Sequence, residues 1–163
     1  MTKILCSVST RGRYHTTLPL ALQAIIHQTR PVDKLVVFDD NDNPQDMRTE
    51  LIYANFFKIL DQKGIEWEWL YAGKKGQHHN HQMANRTGYQ WVWRVDDDAI
   101  PEPNVLNELM SWTLLKNVGA VGGSILTPPN MPNTKNATGL IKAIDSEPNI
   151  QWNFIKDRLD VDH

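Results

Sequence analysis

The feature that most constrains the fold is a series of four short apolar runs, at residues 4–8, 35–38, 91–95 and 118–126. Their hydrophobicity is nearly continuous and does not alternate. Continuous runs of this length are typical of strands that are buried on both faces of a sheet. We therefore expect four such strands in one chain.

Three segments between these runs have apolar residues at helical spacing. The first precedes Pro31, the second spans about residues 46–63 and stops at Gly64, and the third begins after Pro103. In the second segment the apolar positions are Leu51, Ile52, Phe56, Ile59 and Leu60. Strands that alternate with helices predict an α/β fold with an open, mostly parallel sheet and flanking helices, because parallel strands need long crossover connections.

Two further patterns refine this prediction. Residues 66–71 alternate aromatic with acidic or aliphatic side chains, which favours an edge strand. The chain shows no internal repeat and no linker. Its 163 residues therefore predict a single domain over 1–163.

Composition excludes several classes of protein. The formal charge is -2 and the chain has no basic block, so its charge pattern does not indicate nucleic-acid binding. No apolar run approaches the roughly 18 residues of a membrane span, and the N-terminus turns polar too soon for a signal peptide. The single cysteine, Cys6, excludes an internal disulfide framework. These features predict a cytoplasmic chain without a membrane span.

The third apolar run leads directly into three carboxylates, Asp96, Asp97 and Asp98. Adjacent carboxylates repel each other, so a positive charge should compensate them. Mg²⁺ and Mn²⁺ prefer such oxygen ligands and leave positions free for phosphate. Strand alternation would place Asp96 and Asp98 on one face and Asp97 on the other. The alternative is a solvated acidic turn that caps the next helix.

A second acidic pair, Asp39 and Asp40, ends the run at 35–38. Taken alone, this pair is typical of a turn. If the first three strands are neighbours, however, this pair meets Ser9 and Thr10 and the acidic triplet at one sheet edge. Ligands of open α/β sheets bind at the carboxyl ends of the strands. The sequence therefore predicts a ligand site at that edge.

The order of these motifs resembles the inverting family 2 glycosyltransferases. Residues 6–13 resemble the first strand and turn of that family: Thr10 and Arg13 are kept, whereas Ser9 and Gly12 replace a Pro and an Asn. Further along the chain, three segments also match: Gln28-Thr29 before Pro31, the second strand with Asp39-Asp40-Asn41, and Asn80 eight residues before Gly88.

The triplet Asp96-Asp97-Asp98 is similar to the Asp-X-Asp metal motif of the family, and Pro101-Glu102-Pro103-Asn104 is typical of the segment that follows it. His79 stands where the family has an Arg. The resemblance covers about residues 4–126.

The resemblance implies a Rossmann-like glycosyltransferase-A fold and transfer of a sugar, with inversion, from a nucleotide-diphosphate sugar to an acceptor hydroxyl. It implies Mn²⁺ or Mg²⁺ as cofactor, held by Asp98 and Asp96. The nucleotide-sugar contacts that it implies are Ser9, Thr10, Arg13, Asp39, Asp40, Asn80, Asp96 and Asp97. The acceptor is a glycan, a lipid or a small molecule.

Domains of this family generally run longer, so the resemblance also predicts that the distal acceptor-binding part and the catalytic base lie beyond residue 163. Asp160 and Asp162 are acidic but stand in no recognisable base motif. Two other functions remain open, namely a noncatalytic nucleotide-sugar binding module and a nucleotidyltransferase. The third alternative is a structural domain whose acidic sheet edge binds no ligand.

The histidines at 78, 79 and 81 form a separate cluster. Such a cluster can ligate a transition metal, but it lacks a cysteine or another nearby ligand. A polar loop entering a helix is the favoured interpretation.

Overall fold

A computed structural model describes residues 2–115 and 118–123 of the chain. The chain divides into two compact units, Met1–Val121 and Gly122–His163. Only Gly122 and Gly123 of the second unit are described, so the prediction of a single domain stays a prediction.

The first unit alternates strands with helices. In chain order its elements are β1 (Ile4–Thr10), α1 (Leu18–Ile26), β2 (Lys34–Asp39), a 3-10 turn (Met47–Thr49), α2 (Leu51–Gln62), β3 (Glu66–Tyr71), α3 (Gly76–Asn85), β4 (Trp91–Asp96) and α4 (Val105–Trp112).

The four strands form one sheet in the order β3-β2-β1-β4, and every pair is parallel. This arrangement confirms the predicted α/β fold with a parallel sheet and flanking helices. The segment 66–71 is the edge strand β3, as its alternating pattern predicted.

The larger part of the core covers one face of the sheet. Side chains of β1 and β2 such as Cys6, Val8 and Val37 pack there with apolar side chains of α1, α2 and α4. Helix α2 buries Phe56 and Leu60 as expected, but the first two predicted positions lie outside its buried stripe. Leu51 is 78% exposed and Ile52 is also exposed. The buried stripe of α2 has i, i+3, i+4, i+7 spacing and consists of Tyr53, Phe56, Phe57 and Leu60.

The opposite face carries a small apolar cluster of Leu5, Val36, Phe38 and Ala84. Helix α3 contributes Ala84, and the sequence patterns did not delimit this helix. Its sequence, GQHHNHQMAN, is largely polar and has a weak apolar stripe, so hydrophobic spacing gives little sign of it.

Two strand predictions need correction. Residues 118–123 form no strand, and residues 124–126 of that run lie outside the described residues. Strand β4 was expected to be buried on both faces. Instead only Val95 is buried, since β4 lies at the edge of the described sheet with a neighbour on one side alone. In the part of the chain that the structure describes, no helix is long and apolar enough to span a bilayer.

Candidate functional site

The site lies at the carboxyl ends of β1, β2 and β4. In the sheet register Thr10 lies beside Asp39, and Ser9 lies beside Asp96. The parallel register therefore brings together at one edge the strand ends that the sequence predicted to meet there. The loops that follow these strands carry the remaining acidic residues.

Asp39 is buried, with 1% of its surface exposed. Its Oδ1 accepts hydrogen bonds from the backbone N–H and the Nδ2 of Asn41, at 3.1 and 2.8 Å. Its Oδ2 accepts from Trp69 Nε1 at 3.0 Å and from the Tyr14 hydroxyl. A carboxylate has about four acceptor sites, so these bonds saturate it. Contact between Asp39 and the nucleotide sugar remains a prediction, and it would require one of these bonds to open.

Burial raises the pKa of Tyr14, and the hydrogen bond to Asp39 raises it further. Tyr14 is in turn held by α2, because its backbone carbonyl accepts from the Tyr53 hydroxyl at 2.6 Å. Sequence reasoning missed Tyr14 and Trp69 as partners of Asp39. Nothing in the local sequence marks them, since they lie 25 and 30 residues from it.

Asp40 and Asn80 are both buried next to this cluster, and each has one oxygen without a partner. Asp40 Oδ2 accepts from the Gly76 N–H at 2.8 Å, and Asn80 Nδ2 donates to Ser9 Oγ at 2.7 Å. Their Oδ1 atoms are buried and have no hydrogen-bond partner among the described residues. A buried acceptor without a partner usually indicates an absent water, ion or ligand donor.

The acidic triplet does not alternate as a strand would. Strand β4 ends at Asp96, and the Ala99 N–H donates to the Asp96 carbonyl at 3.0 Å, which closes a turn over Asp97 and Asp98. Asp97 and Asp98 therefore lie on the same side, next to Arg13. Asp96 Oδ1 instead accepts from Gln77 Nε2 of α3 at 2.9 Å. We expected Asp96 and Asp98 on one face and Asp97 on the other. This expectation is wrong because β4 ends at Asp96, so Asp97 and Asp98 lie in the turn and not in the strand.

Arg13 compensates two carboxylates of the triplet, Asp97 and Asp98. Its Nη2 lies 3.2 Å from Asp98 Oδ2, and its Nε lies 3.7 Å from Asp97 Oδ1. Asp97 is the more buried of the two carboxylates and also accepts from Thr10 Oγ1 at 2.8 Å. Asp97 is thus tied to β1, whereas the side chain of Asp98 is 50% exposed.

A second group of charges lies in the loops after β1, β2 and β3. Asp42 Oδ1 is 2.9 Å from Arg11 Nη2 and 3.2 Å from Lys74 Nζ. Hydrogen bonds from Lys74 and Arg11 lower the pKa of Asp42. Through Asp42, the cations Arg11 and Lys74 connect the loops after β1, β2 and β3 at this edge of the sheet.

Gln28 and Thr29 hold the loop that follows the triplet in place. The sequence patterns did not assign this role to them. Gln28 Nε2 donates to the Glu102 carbonyl at 2.7 Å, and Gln28 Oε1 accepts from the Leu106 N–H at 2.9 Å. The Thr29 N–H donates to the Pro103 carbonyl at 2.8 Å. The end of α1 thereby anchors the start of α4 and positions the turn at Asp97 and Asp98.

The histidine cluster belongs to α3. Burial lowers the pKa of His81, and Arg94 adds to this effect. Within residues 2–115 and 118–123, no three or more His, Cys, Asp and Glu side chains are grouped so that they could hold a metal ion. The histidines lie within α3 itself, so the expected polar loop before a helix is wrong, whereas the polar character of the segment is as expected.

Asp96 and Asp98 bond to different partners, so each is a separate candidate ligand for a more open kind of metal site, in which phosphate and water supply most ligands. Both side chains are exposed. Asp96 has one oxygen bonded to Gln77, and Asp98 has one oxygen paired with Arg13. Each carboxylate therefore keeps an oxygen for a hard cation, and Mg²⁺ is commonly held by one or two carboxylates plus phosphates.

Of three comparisons with known proteins, the one with solved structures finds similar chains. No protein-family model and no curated protein matches the chain. Among solved structures, the chain is similar to TarS of S. aureus, with 17% identity and a TM-score of 0.52 over 77% of this chain and 24% of TarS. The chain thus spans about a quarter of the TarS chain that it matches. At this identity the likeness shows the fold alone, an α/β fold with a parallel sheet and flanking helices.

Proposed function

We propose that this chain binds a nucleotide-diphosphate sugar at the edge formed by Thr10, Asp40 and Asp96, as the donor-binding part of an inverting family 2 glycosyltransferase. The acceptor is a molecule with a free hydroxyl, and the location is cytoplasmic. The glycosyltransferase-like fold supports the proposal, as does the order of the motifs along the chain.

The observation that carries the proposal is the pair of buried, unpartnered oxygens on Asp40 and Asn80. Both atoms are acceptors, so the missing partner is a hydrogen-bond donor. The hydroxyls of a ribose or of a donor sugar are such donors. Each acceptor would cost about 1–3 kcal/mol of free energy if it stayed without a partner, so a ligand that donates to both would bind favourably.

The charges around these oxygens suit a diphosphate. Arg13 lies beside Asp97 and Asp98, and Arg11 and Lys74 share Asp42. These surface pairs are weak, so a dianionic ligand can compete for the three cations. Cleavage of the glycosidic bond leaves negative charge on the departing diphosphate, and cations already in place stabilise that charge.

Asp98 and Asp96 would hold Mn²⁺ or Mg²⁺ through the oxygens that they keep free. The cation would supply Lewis-acid neutralisation of the leaving diphosphate. Thr10 would keep Asp97 in place beside it, because its hydroxyl donates to that carboxylate.

Calorimetric titration with UDP, GDP, CDP and dTDP tests the proposal. Each nucleotide is titrated with Mn²⁺ and again with excess chelator. We expect one nucleotide to bind in the presence of metal, and this binding to be lost with chelator and in Asp98→Asn. Glu50→Gln is the matched control, since it removes an exposed carboxylate at the start of α2 and should bind as the wild type does.

Absence of binding by all four nucleotides to the folded protein would contradict the proposal, as would binding that is indifferent to chelator. A donor hydrolysis and transfer assay then separates a glycosyltransferase from a noncatalytic nucleotide-sugar binding module. A nucleotidyltransferase would instead release pyrophosphate from a nucleoside triphosphate.

A further inference from the structure

A small cleft lies between β3 and the segment of the 3-10 turn. Its volume is about 240 Å³. The edge strand provides Trp67, Trp69 and Tyr71, and the segment of the 3-10 turn provides Asp46 and Arg48. The nucleotide-sugar proposal uses none of these five side chains as a ligand contact.

The aromatic side of the cleft is held rigidly from behind. Phe57 stacks on Trp67 with ring centroids 4.0 Å apart, and Trp67 Nε1 donates to Asp61 at 2.8 Å. Because Phe57 covers one face of Trp67, the surface that lines the cleft belongs to the rest of the ring. Trp69 is fixed by its bond to Asp39 and by an edge contact with Tyr53. A ligand would meet aromatic surface that loses little conformational freedom on binding.

Tyr71 completes this surface and is the open member of the set. It is 55% exposed, and its hydroxyl donates to the Gln45 carbonyl at 3.4 Å. An exposed aromatic ring offers a ligand a large apolar surface against which to pack.

The polar side of the cleft is a planar ion pair. Arg48 Nε and Nη2 donate to Asp46 Oδ1 and Oδ2 at 2.8 and 2.7 Å. This two-point contact fixes the guanidinium, and its Nη1 has no partner among the described residues. The cleft thus combines a donor group and carboxylate oxygens with aromatic walls.

The backbone of β3 adds hydrogen-bonding groups at the same place. The N–H groups of Glu66 and Ala72 donate to carbonyls of residues 33 and 39, toward β2. Parallel strands alternate the direction of their backbone groups, so the N–H and C=O of Trp67 and Trp69 point to the open edge of the described sheet.

We propose that this cleft, lined by Trp67, Trp69 and Tyr71 with the Asp46–Arg48 pair, binds the ring of a pyranose sugar. A pyranose has an apolar C–H face that packs on aromatic rings. Its hydroxyls both donate and accept, so they can bond to the carboxylate and the guanidinium together. This binding goes beyond the proposed function and does not rest on it.

Two other ligand chemistries fit less well. A quaternary ammonium also favours aromatic surroundings, but both carboxylates of the lining are already paired, Asp46 with Arg48 and Glu68 with Lys34. An extended peptide could pair with the open edge of β3, but the cleft is smaller than the roughly 300–1,000 Å³ of typical ligand pockets. A single sugar ring matches both its size and its charge.

The position of Trp69 connects the cleft to the strand-end site. The indole that lines the cleft donates to Asp39 Oδ2 on the opposite side. A ligand that displaces Trp69 would therefore disturb its hydrogen bond to Asp39, at the end of β2.

Titration of the protein with methyl glycosides of glucose, galactose and N-acetylglucosamine tests this inference. The readout is intrinsic tryptophan fluorescence, with chelator present and without nucleotide, so metal-dependent nucleotide binding makes no contribution to it. We expect a saturable change with at least one glycoside. Tyr71→Ala and Arg48→Gln should each weaken binding about fivefold.

Matched controls separate a local effect from a general one. Leu51→Ala removes an exposed apolar side chain from α2, and Arg86→Gln removes an exposed cation after α3. Both controls should bind the glycoside as the wild type does. Circular dichroism verifies that each variant is folded.

Three results would overturn the inference. One is the absence of a saturable change with every glycoside. Another is unchanged affinity in folded Tyr71→Ala and Arg48→Gln. The third is binding of choline, or of an extended peptide, in place of the glycosides. Nucleotide titration of the same variants is scored separately, so failure of this inference leaves the proposed function standing, and the reverse also holds.

Discussion

Two acidic residues at one sheet edge, Asp39 at the end of β2 and Asp98 in the turn after β4, have opposite surroundings. Asp39 is buried and saturated by Tyr14, Trp69 and Asn41. Asp98 is half exposed and has one ion pair, with Arg13. Residues that look alike in the sequence therefore have different physical roles.

The difference follows from the position of each strand in the sheet. Strand β2 lies between β1 and β3, so its end is surrounded by side chains that can bond to it. Strand β4 has one described neighbour, β1, so its end is open on the other side. A buried, saturated carboxylate stabilises the edge, whereas an open carboxylate is free to bind a ligand.

The largest expected effect on stability is that of Asp39→Ala. It leaves the Tyr14 hydroxyl and the Trp69 N–H without their acceptor in a buried place. We expect the free energy of unfolding to fall by about 3 kcal/mol or more, measured by urea denaturation.

Asp39→Asn is the companion variant, because it keeps the shape and one acceptor oxygen. Its loss should be smaller than that of Asp39→Ala. Equal stability of the wild type and Asp39→Ala would show that these hydrogen bonds do not stabilise the end of β2. It would also contradict the structural role that distinguishes Asp39 from Asp98.

The second expected effect is loss of stability at alkaline pH. Burial raises the pKa of Tyr14, Tyr53 and Cys6 above their ordinary values. At neutral pH these groups are protonated in both states. Above about pH 10 the tyrosines ionise first in the unfolded chain, so the free energy of unfolding should fall by up to about 1.4 kcal/mol per pH unit for each.

Urea denaturation at about pH 8, 10 and 11 measures this slope. In Tyr14→Phe the decline above pH 10 should be shallower, since Tyr53 and Cys6 remain but one titrating group is gone. A slope identical to that of the wild type would show that Tyr14 is not protonated preferentially in the folded protein.

The smallest expected effects distinguish neighbours within the triplet. Asp97 is 14% exposed and bonded to Thr10, so Asp97→Asn should lower the free energy of unfolding by about 1 kcal/mol. Asp98→Asn should change it by less than about 0.5 kcal/mol, because its ion pair is exposed.

The Thr10→Val variant sharpens this result in a double-mutant cycle. Thr10 should couple to Asp97 and not to Asp98, since only Asp97 accepts from its hydroxyl. If Asp98→Asn proves more destabilising than Asp97→Asn, the assignment of Asp97 as the structural member of the triplet is wrong.

Much of the fold could be predicted because it depends on local patterns. The apolar runs mark β1, β2 and β4 within one or two residues, and Gly64 marks the end of α2 with its positive φ of 68°. Helix α3 could not be delimited, because its polar sequence lacks a clear apolar stripe. The stripe of α2 was misjudged because Leu51 and Ile52 are apolar without facing the core.

The sequence alone determined which residues end the strands and therefore which side chains gather at the functional edge. Hydrophobic period and strand length are encoded by residues close together in the chain, so they can be read without the fold. Tertiary structure alone decided the partners of those side chains. Thr10 meets Asp97 across 87 residues, and Asn80 meets Ser9 across 71. Contacts between such distant residues follow from strand order and register, which no local pattern specifies.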